Sequence, residues 1–434
     1  MEPECMNSSL DLFQRPPLQT NILKTINVSY NPLTSLDNSN TIEFHIPSNG
    51  DYYKDLGSLN LRLLLQIQDN AQPAGNPPVN PPTSLVVNNI LHSLFRQCQV
   101  TLNGTHVSQD DTNYHYKCYL QTVLNYGLDA RKTQLSAQAY HPDENDVNST
   151  SDNHNAGIKD RRRLFGQYGG YKKVELVGKI HSDIFNIDRF LPSGIDLRVS
   201  LIKEKENFYM MGENSTGSIK ILEANLTLDH KVINPEILAA HHYTLNSRNM
   251  IIPFTRTSVK QFTINSGLSS VSLDNVIMGK LPNSLVFGMV SHAAYNGSRT
   301  ENPFNFSHFR LQNFSLYVNG EQTPTKPLSF SFGDEGNICT QGYVSLFKAL
   351  GLWREDRGHQ ITRSKFENGY FLLAFDLTAD HNFTDSCGNM TQEGTIRLEF
   401  KFDDPLTAPI TCLVYSESDA CMEIDRNKNV FISQ

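Results

Sequence analysis

Apolar and polar positions alternate with a period of two over much of the chain. Thr41-Ile-Glu-Phe-His-Ile46 sets Ile42, Phe44 and Ile46 against Thr41, Glu43 and His45, as a strand with one buried face requires. Leu59–Ile67, Tyr171–Leu176, Ile195–Ile202, Ile219–Leu228 and Val259–Ile264 also read as strands. Gln99-Val-Thr-Leu-Asn-Gly-Thr-His-Val107 predicts a tight hairpin, because Asn103-Gly104 supplies the two positive-φ positions of a type I′ turn. Helical spacing is rarer. Cys118, Tyr119, Val123 and Tyr126 recur at it within Tyr114–Tyr126, just before Gly127. Asn234-Pro235-Glu236 has the residue types of an N-cap, a first helical position and a first turn, predicting a short helix through about His241.

The second half repeats the first. Phe314-Ser-Leu-Tyr-Val-Asn-Gly320 mirrors the strand that runs into Asn103-Gly104, and the two Asn residues (319 minus 103) stand 216 residues apart in a chain of 434. Helical stretches follow each hairpin, Tyr114–Tyr126 and Tyr343–Leu352, and Gly194–Leu201 matches Gly394–Phe400. Val259–Ile264 stands at a similar offset from Thr41–Ile46. Common order and spacing argue for two copies of one β-domain. Many short strands separated by turn signals imply sandwiches or barrels, and about 200 residues per copy suits an eight-stranded jelly roll. The expected fold is all-β: two tandem eight-stranded jelly rolls with a few short helices in loops. The expected boundaries are an extended arm over 1–25, a first jelly roll over 26–234 and a second over 235–434. The Pro-rich segment Gln72–Pro82 excludes ladder and helix, and the polar stretch 141–163 is expected to be a long exposed loop.

Composition narrows the function. Aromatic residues make up 10% of the chain and charged residues 19%, with a net charge of −8. An acidic chain is a poor direct binder of nucleic acid, so no specific contact with it is expected. The one dense basic run, Lys159-Asp-Arg-Arg-Arg163, reads as a solvated loop. No leader-like segment opens the chain and no stretch has the length of a membrane span; synthesis in a host cytosol is the expectation. The seven cysteines (Cys5, Cys98, Cys118, Cys339, Cys387, Cys412, Cys421) form no CxxC pair and read as reduced thiols. The sequons at Asn27, Asn103, Asn225, Asn305 and Asn389 read as by-products of an Asn- and Ser/Thr-rich composition.

Candidate chemistry is sparse. Gly166-Gln-Tyr-Gly-Gly170 has the wrong spacing for a phosphate loop. Adjacent His241-His242 would point about 100° apart on a helix and cannot readily share an ion. Asp403-Asp404 before Pro405 reads as a turn, and His181-Ser182-Asp183 cannot adopt triad geometry as neighbours. Asp376 and Glu399 read as the solvent side of strands. No catalytic, cofactor-binding or metal-ligating residue is assigned, and no enzyme activity is expected.

Several segments resemble the major capsid protein of Maverick/Polinton elements and adintoviruses. They are Gln14-Arg-Pro-Pro-Leu-Gln-Thr-Asn-Ile22, Val177-Gly-Lys-Ile-His-Ser-Asp-Ile-Phe185, Asn302-Pro-Phe-Asn-Phe-Ser-His-Phe309, Leu316–Leu328 and Asn368–Thr378. They span nearly the whole chain in the expected order. The resemblance implies a double jelly roll and a homotrimer whose six jelly rolls form a pseudo-hexagonal capsomer of an icosahedral virion. It also implies a penton protein and internal minor capsid proteins as partners, and brings no catalytic residues. The rival expectation is a lectin-like or cell-attachment β-sandwich protein, for which the single Trp353 offers little support.

Overall fold

The computed structural model describes residues 18–433 apart from 38, 49, 69–83, 109–111, 168–169, 214, 334–335 and 382–388. Eight strands form the first sandwich: β1 (Ile22–Tyr30), β2 (Thr41–Ile46), β3 (Tyr52–Gln68), β4 (Phe95–Leu102), β5 (Thr105–His106), β6 (Lys173–Lys179), β7 (Leu197–Lys203) and β8 (Ser218–Ile233). One sheet runs β1-β8-β3-β6 and the other β2-β7-β4-β5, with antiparallel neighbours throughout. Ile42, Phe44 and Ile46 point into the core with Val199, Leu201, Val100 and Leu102 from the same sheet. Each such side chain contributes about 1.5–3 kcal/mol by leaving water.

The second sandwich repeats this order with β9 (Met250–Ile264), β10 (Ser270–Lys280), β11 (Ser284–Ser291), β12 (Leu311–Val318), β13 (Glu321–Gln322), β14 (Leu372–Asp376), β15 (Glu393–Phe402) and β16 (Ile410–Ile424). Its sheets run β9-β16-β11-β14, extended by β17 (Val430–Ser433) on β16, and β10-β15-β12-β13. Adding eight to each strand number of the first sandwich gives its partner in the second. The all-β double jelly roll expected from the sequence is the fold of the chain. Five helices matter below: α1 (Ile90–Ser93), α2 (Tyr114–Asn125), α3 (Ala156–Phe165), α4 (Pro235–Leu245) and α5 (Thr340–Ala349). Asn234 caps α4 as predicted, its side chain accepting from Glu236 N.

The Asn-Gly hairpins do one job in both halves. Asn103 and Gly104 take φ of 47° and 82°, and Asn319 and Gly320 take 52° and 84°, the type I′ geometry. Asn103 N donates to Asp196 O (3.0 Å) while its Oδ1 accepts from Asp196 N (2.7 Å). Asn319 N donates to Thr395 O (3.0 Å) while its Oδ1 accepts from Thr395 N (2.9 Å). Each turn is therefore bolted to the start of the neighbouring strand, β7 or β15, which fixes the register of that sheet.

Three expectations are corrected. Val259–Ile264 lies in β9, the counterpart of β1; the counterpart of Thr41–Ile46 is β10. The similar offset arose because strands alternating with period two look alike, and only pairing order identifies them. The stretch 141–163 is not an exposed loop: it ends in α3, and Asp143, Val147, Asn155, Ile158 and Arg161 are buried. The basic run accordingly sits on a helix, with Arg161 1% exposed. The Gln72–Pro82 loop and residues 1–17 of the expected arm lie outside the described residues, while Ile22–Thr25 open β1.

Replacing Asn319 by Ala removes the acceptor of Thr395 N and leaves a β-carbon at φ 52°. A loss of about 2 kcal/mol is expected from the hydrogen bond and the left-handed backbone together, read as a lower urea midpoint with unchanged m-value.

Candidate functional site: the polar seam between the sandwiches

α2 lies between the two sandwiches. Every side chain from Tyr114 to Leu124 is buried, polar ones included, so each polar group must find a partner inside the protein. Tyr119 stacks on Phe304 at 4.2 Å between centroids, and Tyr116 lies 5.8 Å from Tyr295 and 5.6 Å from Phe304. Tyr116 Oη donates to Pro303 O (3.0 Å). At the helix start, Asn113 Nδ2 donates to Val259 O (3.1 Å) and Gln261 Oε1 (2.6 Å), and Tyr295 Oη donates to Asn113 Oδ1 (2.9 Å).

A charged pair of the first half lies on the same seam and takes a backbone bond from the second. Lys117 Nζ donates to Asp183 Oδ1 (2.6 Å), and Thr257 N donates to Asp183 Oδ2 (3.0 Å). Glu417 lies beside this pair, and burial raises its pKa above the usual carboxylate value, with the Asp183 charge adding to the rise. Its Oε1 accepts from Tyr415 Oη. A cleft of about 640 Å³ opens between the halves here, walled by Gln121, Gln138, His181, Asp183, Thr257 and Glu417.

A second knot is built on Asp143, whose side chain is fully buried. Its Oδ1 accepts from Arg161 Nη2 (2.6 Å) and Asn155 Nδ2 (2.9 Å), and its Oδ2 accepts from Asn302 Nδ2 (2.9 Å) of the other sandwich. Tyr370 Oη, also from the second half, donates to the Asp143 carbonyl (3.0 Å). Arg161 spends its remaining donors on Val86 O (2.9 Å) and His141 O. Asn155, the N-cap of α3, accepts from Gly157 N and Ile158 N. The chain 141–165 is thus folded inward around one carboxylate. At its rim Glu144 takes Lys365 Nζ (3.1 Å) and Arg131, and its pKa falls below the usual value through these two cations, which outweigh its partial burial.

The residues weighed in the sequence are dispersed. His181 and Asp183 part company, His181 Nδ1 donating to Gln121 Oε1 (2.8 Å) and Asp183 taking Lys117. His241 Nδ1 meets Tyr53 Oη at 2.9 Å, with the rings stacked. Asp404 accepts from Arg310 Nη1 (2.6 Å) on the surface, and Asp376 Oδ1 accepts from Thr378 N and Oγ1. Glu399 pairs with Arg397. Trp353 is 54% exposed in the turn after α5. Cys98, Cys118, Cys339, Cys412 and Cys421 are free thiols, and Cys5 and Cys387 lie outside the described residues. Gly166-Gln167 pairs with Gly170-Tyr171 as a small hairpin, of which 168–169 lie outside the description. Sequence reading missed Asp143, Arg161, Lys117 and Asn302, because their partners stand 18, 66 and 159 residues away. The capping Asn155 before an apolar Ile158 was the one local signal for α3.

No family model matches the chain. A Caenorhabditis elegans protein described as uncharacterized protein F54H12.2 is 25% identical over 409 residues, 90% of this chain and 92% of that protein. Among solved structures, a chain of the Sputnik virophage superposes with a TM-score of 0.63 at 13% identity, over 99% of this chain and 92% of its own. The mavirus major capsid protein gives 0.55 at 10% identity, over 99% and 93%. VP54 of PBCV-1 gives 0.55 at 8% identity, over 97% and 99%. The likeness is one of fold, and in each case it extends over more than nine-tenths of both chains. Among the described residues no helix is long and apolar enough to cross a membrane.

The buried ionisable groups make stability testable in two ways. Arg161→Met alone leaves the Asp143 carboxylate buried and unpaired, a loss of about 3–5 kcal/mol; Asp143→Leu combined with Arg161→Met costs far less than the two single changes added, by chemical denaturation. His308 and His359 accept backbone N–H bonds at Nδ1 from Arg310 and Ile361 (3.0 and 3.1 Å), and burial lowers both pKa values to about 4. Between pH 6.5 and 4 the unfolded chain then binds more protons than the folded one, so stability is lost as the pH is lowered through that window. A melting series from pH 7.5 to 4 checks this, and His308→Gln with His359→Gln flattens the slope.

Proposed function

We propose that the chain is a viral major capsid protein, a structural subunit without catalytic function. The observation that carries the reading is superposition of the whole double sandwich, over 99% of the chain, on the mavirus major capsid protein and the Sputnik virophage chain. One jelly roll is a common scaffold with many uses; two in tandem, locked by a buried polar seam, form a rigid unit that presents the same sandwich twice. Three such subunits present six similar sandwiches, so a threefold object can pack in a nearly sixfold array, and closed symmetry ends growth at a shell. On this reading the capsomer is a homotrimer, the shell icosahedral and the location the virion. The division into an arm over 1–25 and jelly rolls over 26–234 and 235–434 belongs to it, as do a penton protein and internal minor proteins as partners. The assignment to the Maverick/Polinton and adintovirus lineage rests on the ordered segments from Gln14–Ile22 to Asn368–Thr378.

The surface supports association. Ile251 and Phe431 are 54% and 53% exposed and flank Glu423 on one sheet face. An apolar cleft of about 720 Å³ beside them is lined by Ile22, Phe190, Ile237, Leu245 and Ile252. Obligate interfaces are built from such surfaces.

Light scattering after gel filtration of the full chain is expected to give three times 49.0 kDa, about 147 kDa, or particles visible in negative stain. A monomer across concentrations and salts would sink the capsomer reading and move the lectin-like one forward, to be tested by glycan binding.

A further inference from the structure

Three side chains with metal-binding atoms, from three separate segments of the first half, meet beside the seam. His92 comes from α1, Cys118 from α2 and His181 from the segment after β6. Their ligand atoms all lie within 4.8 Å of one another, and the two rings stand edge to face with centroids 4.7 Å apart. His92 and Cys118 are completely buried, while His181 forms part of the wall of the 640 Å³ cleft.

The surrounding amides set the state of both rings. Gln121 Nε2 faces two hydroxyls, Thr257 Oγ1 (3.5 Å) and Tyr415 Oη (3.4 Å), which turns its Oε1 towards His181 Nδ1 (2.8 Å). That oxygen only accepts, so Nδ1 carries the proton and Nε2 keeps a lone pair. His92 Nε2 lies 3.2 Å from Gln138 Oε1, which places its proton there and leaves Nδ1 as an acceptor, 3.2 Å from Tyr114 Oη. A core histidine held only for packing needs one partner. Here both rings have their N–H spent on a side-chain carbonyl; His181 Nε2 keeps its lone pair, His92 Nδ1 turns its own to the Tyr114 hydroxyl, and the Cys118 thiol lies within reach of both. Outer hydrogen bonds of this kind fix the tautomer and orientation of histidines that ligate metals.

The geometry points to a zinc(II) site formed by His92, Cys118 and His181. Two imidazoles and one thiolate suit a borderline-soft, four-coordinate ion. Bonds of about 2.0–2.3 Å put tetrahedral ligand atoms roughly 3.3–3.8 Å apart, so the cluster closes by about 1 Å on binding. The fourth position falls to a water reaching the site from the cleft or to Tyr114 Oη. Both imidazoles bind neutral; the Cys118 thiol gives up its proton to solvent as the zinc–sulfur bond forms, one proton released per ion. The ion would join α1, α2 and the end of β6, bracing the helix that carries the seam. This inference does not depend on the capsid reading.

Cobalt(II) is the probe. The full-length chain, stripped with a chelator, is titrated with cobalt(II) and then with zinc(II). One equivalent of cobalt is expected, with a thiolate-to-metal charge-transfer band in the near ultraviolet that zinc abolishes. Cys118→Ser is expected to eliminate the band, and His181→Gln to weaken binding at least tenfold. Cys421→Ser, which alters a half-exposed thiol elsewhere, should leave both unchanged. Circular dichroism checks that each variant is folded; His181→Gln, at the cleft wall, keeps the test decisive if replacement at the buried Cys118 unfolds the chain. Absence of a thiolate band in the folded wild type, or a band and affinity that survive His181→Gln, would overturn the site.

Discussion

The structure depends on satisfying the polar groups of a helix that has no face in water. α2 is buried along Tyr114–Leu124, and an unpaired polar group there would cost on the order of 1–3 kcal/mol, more for a charge. The sandwiches meet that demand jointly. The first supplies Asp183 to Lys117, and the second supplies Val259 O and Gln261 to Asn113 and Pro303 O to Tyr116. Because the partners come from both halves, neither half can rotate about the helix without breaking several buried bonds. A purely apolar seam would tolerate sliding; directional bonds do not.

Asp143 extends the same logic to the segment 141–165. One carboxylate takes an Arg from its own half and an Asn from the other, and the segment that carries it wraps round to reach both. The pair adds little net stability against an apolar replacement of the same shape. Its value lies in geometry, since only one docking of the sandwiches satisfies every donor. If the chain is the capsid subunit proposed above, a fixed docking matters further, because an error in the angle between its two jelly rolls would be repeated at each copy in a shell.

Exposure accounts for which strands were readable. β2, β4 and β7 alternate cleanly because one face is core and the other is partly wet. β11 and β14 are buried along nearly their whole length, reading Leu-Val-Phe-Gly-Met-Val and Leu-Leu-Ala-Phe, since their end of the sheet, unlike β9, is covered on both faces. A sheet enclosed on both faces loses its period-two signal. Residues 141–163 failed for the opposite reason. Their polar composition resembles that of a solvated loop, and burial became possible only through partners that lie far along the chain.

The sequence by itself determined the strand content, the two Asn-Gly turns, the Asn234 cap and the tandem repeat, and hence the double jelly roll. All of these rest on local periodicity or on backbone angles that few residues tolerate. Tertiary structure alone decided that Val259–Ile264 answers to β1 and not β2. It also decided that Arg161 lies in the core and that His92, Cys118 and His181 converge. Strand order, charge pairing and ligand clustering depend on contacts between residues tens to hundreds of positions apart, and no local pattern encodes them.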